Sequence, residues 1–150
     1  MIRDEIKAAQ TAAMKAGDKE RLAAVRLILA KVKDRDIELR TASQVPEDDA
    51  LVTDVLQKMV KQRRESIAMY EQGGRAELAA KEQAELDVIE SFLPAQMSEE
   101  ETKAAIEAIK VELGASSVKD MGKVMAALKE RHGTQLDMSK ASDLVKAALA

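Results

Sequence analysis

The 150-residue chain has no cysteine and no tryptophan, and only one phenylalanine, one tyrosine, one histidine and two prolines. Without cysteine there can be no disulfide, no thiolate nucleophile and no cysteine-ligated metal. The absence also fits a reducing compartment, and a cytoplasmic location is the expectation. The one histidine, His132, falls beside Gly133 at an expected helix end, where a protonated imidazole suits the helix dipole. With one histidine and no cysteine the sequence marks out no Ser-His-Asp triad and no histidine-rich metal site. With so few aromatics, the core must be built from Leu, Ile, Val, Met and Ala, which suits close-packed helices better than a β-sandwich. No apolar run approaches the roughly 18 residues of a membrane span. The N-terminus MIRDEIKAAQ is charged and has no apolar signal region, so neither membrane nor secretion is expected. A net charge of −3 argues against general coating of nucleic acid but leaves room for a local basic face.

What is present is apolar spacing of helical period. Ile2, Ile6, Ala9 and Ala13 define a first helix ending at Gly17, after which Asp18 can cap a second. In that second helix Leu22, Val25, Leu29 and Val32 form a stripe flanked by Ile28 and Leu39. Pro46 with Glu47, Asp48 and Asp49 suits the first turn of a third helix that runs towards Gly73 and Gly74, and a fourth extends from Arg75 until Leu93-Pro94. A domain boundary is placed there, giving residues 1–93 and 94–150. Ser98 and Glu101 form an S-x-x-E capping box for a helix ending near Gly114. Ser117 and Asp120 repeat the pattern for a helix ending near Gly133. Asp137 or Ser139 starts the last one, with Met138, Ala141, Val145, Ala148 and Leu149 on one side. The expected fold is all-α, with about four helices followed by a three-helix module.

The stretch KMVKQRRESIAMYEQGGR gathers Lys58, Lys61, Arg63 and Arg64. On a helix, however, these cations do not form one patch. Lys58, Lys61 and Arg64 fan over a solvated side, whereas Arg63 falls in the stripe of Val52, Leu56, Met59, Val60, Ile67 and Tyr70. An arginine there must pair with a carboxylate of a neighbouring helix or contact a ligand, and the structural pair is the preferred reading. The acidic runs EDD and EEE sit at helix N-termini, where they serve the dipole without catalysis. Gly122-Lys123 is no phosphate loop, because Ser117 stands where the upstream glycine would be and Val124 replaces the Ser/Thr. In SVKDMGKVMAALKERHG, Val118, Met121, Met125 and Leu128 make the apolar stripe. Beside it Gly122 and Ala126 form a low strip edged by Lys119 and Lys123. Such a strip either packs against another helix of its own module or admits another backbone, with lysines available for phosphates.

Three strings together, GDKERLAAVRLILAKVKD, KMVKQRRESIAMYEQGGRAELAAKEQAELDVIESFLPAQMSEEE and DMGKVMAALK, resemble the YqeY (GatB/YqeY) family, and the resemblance covers nearly the whole chain. It implies an all-helical N-terminal part joined to a module similar to the tail of the GatB subunit of tRNA-dependent amidotransferases, a module also appended to some glutaminyl-tRNA synthetases. In those settings the tail contacts tRNA while ammonia transfer and ATP-dependent activation reside elsewhere. The resemblance therefore implies an accessory protein with tRNA as partner and no catalytic residues; no cofactor and no metal are expected from the sequence. Lys123 stands at the family's lysine in D-M-G-K-V-M. The later family segment Gly-Arg-Ala-Asp is replaced here by Thr134, Gln135, Leu136 and Asp137, so the arginine is missing and Arg131 is its nearest substitute.

Lys119, Gly122, Lys123 and Arg131, with Lys146 on the neighbouring helix, are therefore the candidate nucleic-acid contacts; residues 119–150 carry six basic and four acidic side chains. Two alternatives stand beside this reading. One is an adaptor that binds an aminoacyl-tRNA synthetase or amidotransferase. The other, by family label only, is a carbon–nitrogen ligase with glutamine as amido-N-donor.

Overall fold

The structure is a computed structural model that describes the backbone of residues 1–150 and every side chain except that of Met138, whose expected place on the last helix's apolar side lies outside the described residues. It is all-α: seven α-helices and three short 3-10 turns, with no strand among the described residues. The helices are α1 (Ile2–Ala16), α2 (Lys19–Glu38), α3 (Asp48–Gln72), α4 (Ala76–Ser91), α5 (Glu99–Leu113), α6 (Met121–His132) and α7 (Met138–Leu149). Contacts divide the chain into two compact units, Met1–Leu93 and Pro94–Ala150.

The first unit is a pair of helical hairpins, α1–α2 and α3–α4. Both turns rest on a glycine: Gly17 (φ 68°) and Gly74 (φ 70°) adopt a left-handed conformation in which a Cβ would be strained. After Gly17 the side chain of Asp18 accepts from the Arg21 amide at 3.1 Å, so a new helix can start directly after the old one ends. Ile6, Val25, Ile28, Val52, Leu56 and Ile89 interlock at the centre, almost wholly removed from water. The α2 stripe is rotated relative to the sequence expectation. Val25, Ile28, Val32 and Leu39 are buried, while Leu22 and Leu29 are only half-buried, because α2 packs against helices on more than one side. Pro46 precedes α3 rather than occupying its first turn, and Glu47 is the N-cap residue.

The second unit is a three-helix cluster around Ile106, Ile109, Val124, Leu128, Leu136, Val145 and Leu149. Ser98 and Glu101 form the reciprocal capping box at the start of α5. Asp137 caps α7 by accepting from the amides of Ser139 and Lys140. Lys110 Nζ donates to the carbonyl of Ala148 at 3.0 Å and so ties the end of α7 to α5. The stretch leading into α5 is pinned to the turn at Gly133–Gln135 by Met97 N–H to Gln135 O at 2.8 Å and Gln96 Nε2 to Thr134 O at 3.0 Å.

Two expectations for this unit are corrected. Ser117 makes no side-chain cap; residues Val118–Asp120 wind as a 3-10 turn, and Asp120 instead accepts from the Ser116 amide at 3.1 Å. The tighter winding shifts the phase of the side chains, so Val118 is 45% exposed and the core side of α6 is formed by Val124 and Leu128 with Met121 and Met125 half-buried.

Candidate nucleic-acid interface

The α6 helix turns Val124 and Leu128 inward, which by helical periodicity sends positions 122, 126 and 129 to the opposite side. Gly122 and Ala126 are both exposed there, and a Cβ built on Gly122 would meet nothing within 4 Å. The reading of this strip as a packing surface against another helix of its own module therefore fails. Lys119 and Lys123 flank it, exposed, and neither has an ion-pair partner among the described residues. Lys129, not singled out from the sequence, is also exposed on this side. Its i, i+3 spacing from Ala126 was the signal that could have found it. The basic side chains thus frame a surface lowered by the missing side chain at 122.

Arg131 is placed differently. It lies at the end of α6 on the side nearer α5, where Nη1 and Nη2 each donate to a Glu112 oxygen at 2.7 Å. The hydrogen bonds to Arg131, and then its charge, hold the Glu112 carboxyl below its usual value, and the same pair raises the guanidinium. Both groups are solvent-exposed, so this is a surface bridge and not a fixed core element. Lys146 on α7 is exposed and unpaired among the described residues. Gln135, standing where the family pattern has arginine, is half-buried in the 3-10 turn, with its carbonyl engaged by the Met97 amide.

Arg63 lies in the other unit. Its side chain is 19% exposed, and Nη1 reaches Glu82 at 2.7 Å and Glu85 at 2.9 Å, both on α4. Arg64, on the wetter side, pairs with Glu90 at 2.8 Å, and Lys58 with Asp54 at 3.1 Å. A second half-buried arginine, Arg3, bridges Asp36 on α2 and Asp48 on α3 and was missed at the level of sequence. Nothing in the apolar spacing marks it, because its partners come from two other helices.

Residues 3–149 match the family model described as YqeY-like protein. The chain belongs to the YqeY-like family. Among curated relatives it is 36% identical over 83 residues to "Altered inheritance of mitochondria protein 41, mitochondrial" of Eremothecium gossypii, a match covering 55% of this chain and 44% of that protein. To the protein of the same name in Saccharomyces cerevisiae (strain YJM789) it is 30% identical over 112 residues, covering 71% of this chain and 59% of the relative. The chain thus spans about half the length of the curated relatives it matches. Those relatives are named as mitochondrial, and this corrects the cytoplasmic expectation. A sequence without cysteine says only that disulfides are not needed, which singles out no compartment. No helix among the described residues is long and apolar enough to cross a membrane.

Proposed function

We propose that this YqeY-like protein is an accessory factor that binds tRNA through the exposed side of its second unit, with Lys119 and Lys123 as phosphate contacts and Lys146 as an outlying one. The observation that carries the reading is the open space above Gly122 between unpaired lysines: a phosphodiester backbone can approach the helix closely while ammonium groups reach its oxygens. Arg131 contributes only by exchanging its exposed bridge to Glu112 for a phosphate, which makes it a weaker contact than the free lysines.

Recognition of this kind rests on charge and shape. Lysine is a point charge without the planar fork that reads base edges, so affinity is modest and sequence choice comes from the fold of the tRNA. No residue of the strip has the chemistry of an acid, base or nucleophile pair, and the proposed role is binding without catalysis. The relatives' names attach those proteins to mitochondria, and tRNA binding by this chain requires no cytoplasmic setting.

The test is equilibrium binding of purified chain to unfractionated tRNA across a salt series. Phosphate contacts predict a logarithmic slope of about −0.7 to −0.9 per neutralised phosphate. An affinity for a co-purifying synthetase or amidotransferase subunit that persists at high salt, with no tRNA binding at low salt, would favour the adaptor reading instead.

A further inference from the structure

The two half-buried arginines differ in how their donors are used. Arg3 engages its whole guanidinium: Nε and Nη2 donate to Asp48 at 3.1 and 2.8 Å, and Nη1 and Nη2 to Asp36 at 2.8 and 3.0 Å. Arg63 also has two carboxylates, Glu82 and Glu85, but both meet the same nitrogen, Nη1. Its Nε and Nη2 donate no hydrogen bond among the described residues, and these two form the side-on edge with which arginine grips a carboxylate in two parallel bonds. Neither nitrogen is sealed from solvent, so the edge stands open to an incoming acceptor.

Arg63 lines a recess of about 250 Å³ between α2 and α3, together with Leu27, Lys31, Met59, Gln62 and Ser66. Leu27 and Met59 supply an apolar wall. Lys31, Gln62 and Ser66 supply an ammonium, an amide and a hydroxyl, none with a side-chain hydrogen bond among the described residues. We propose that this recess binds a monocarboxylate bearing an apolar substituent, its two oxygens held side-on by Arg63 Nε and Nη2 and assisted by Lys31 and Ser66. Charge chooses the monoanion. Arg63 and Lys31 are offset by Glu82 and Glu85, so the site is near neutral when empty and disfavours a phosphate dianion. The apolar wall fits a short hydrocarbon substituent. The same chemistry is offered by a free short-chain acid or by the C-terminal carboxylate of a peptide ending in an apolar residue. This inference is independent of the tRNA reading, which concerns the other unit.

The experiment records backbone amide shifts of the full chain on titration with hexanoate, with inorganic phosphate, and with a short peptide ending in leucine, in free-acid and amidated forms. Saturable shifts at Lys31, Gln62 and Ser66 with hexanoate, at least tenfold weaker in Arg63→Lys and absent with the amidated peptide, are the expected result. Arg63→Lys keeps a cation for Glu82 and Glu85 while removing the fork, and an unchanged helical spectrum shows that it folds. Ser66→Ala, which leaves the ion pairs intact, is expected to weaken binding several-fold. Tighter binding of the free-acid peptide than of hexanoate identifies a protein terminus as the source, and the reverse identifies a small acid. No saturable shift with any carboxylate, equal binding to Arg63→Lys, or tighter binding of phosphate than of hexanoate would overturn the proposal.

Discussion

Arg3 and Asp36 meet end-on, Nη1 and Nη2 of the arginine donating to the two carboxylate oxygens at 2.8 and 3.0 Å, and this pair fastens the first turn of α1 to the last turns of α2. The hydrogen bonds from Arg3 hold the Asp36 carboxyl below its ordinary value. The unfolded chain therefore takes up this proton at a higher pH than the folded one. The stability it contributes is complete above the unfolded carboxylate value of about 4 and is lost as pH falls through the lower folded value. Asp36→Asn is expected to flatten the acid limb of a stability-versus-pH curve below about pH 4.5. An identical acid limb in the variant would show that the pair is too solvated to matter.

Arg63→Ala leaves Glu82 and Glu85, both largely shielded, facing each other without their shared cation. Breaking a buried pair costs about 3–5 kcal/mol, and the partial exposure of all three groups reduces this to about 2 kcal/mol. Urea unfolding of the variant measures it. A loss under about 0.5 kcal/mol would place the site with ordinary surface positions.

Ser98→Ala removes the hydroxyl that accepts from the Glu101 amide at 3.1 Å and loosens the reciprocal bond that the Ser98 amide donates to the Glu101 carboxylate. The expected cost is about 1 kcal/mol, confined to the second unit. Hydrogen exchange at the start of α5 should rise while that of α1–α4 stays fixed.

Residues 94–150 are proposed to fold alone. Within this unit Ile106, Ile109, Val124, Leu128, Leu136, Val145 and Leu149 form a core cluster of their own. At this size one core gives only marginal stability. The isolated segment should show a helical far-UV spectrum and a cooperative melt. A disordered spectrum that becomes helical only when residues 1–93 are covalently attached would contradict it.

The helices were legible in the sequence because their punctuation is local. Gly17 with Asp18 and Ser98 with Glu101 each terminate or start a helix through bonds within a few residues and hold in the structure, and of the two candidates Asp137 and Ser139 it is Asp137 that caps the last helix. The Ser117–Asp120 pattern was misleading for the same reason: a capping motif says nothing about which of two local windings the chain will take, and the 3-10 turn moved Val118 outward. The place of Arg63 in the α3 stripe was readable from periodicity, but its partners on α4 and the fact that one nitrogen serves both were not, since they depend on how two helices pack. Arg3 was invisible because its partners lie 33 and 45 residues away in sequence. Of the candidate interface, the strip of Gly122, Lys119 and Lys123 was visible as spacing. Its exposure, and the engagement of Arg131 by Glu112, required the packed unit.

The central claim is tested most directly by the affinity of the chain for tRNA at low salt, compared with that of Lys119→Glu/Lys123→Glu. Both lysines are exposed and unpaired among the described residues, so the double variant should keep its helicity and melting behaviour. Two ammonium-to-phosphate contacts become two repulsions, and the expected result is at least a tenfold loss of affinity with a shallower salt slope. Equal affinity of native and variant chains, or no tRNA binding by the native chain even at low salt, would contradict the account.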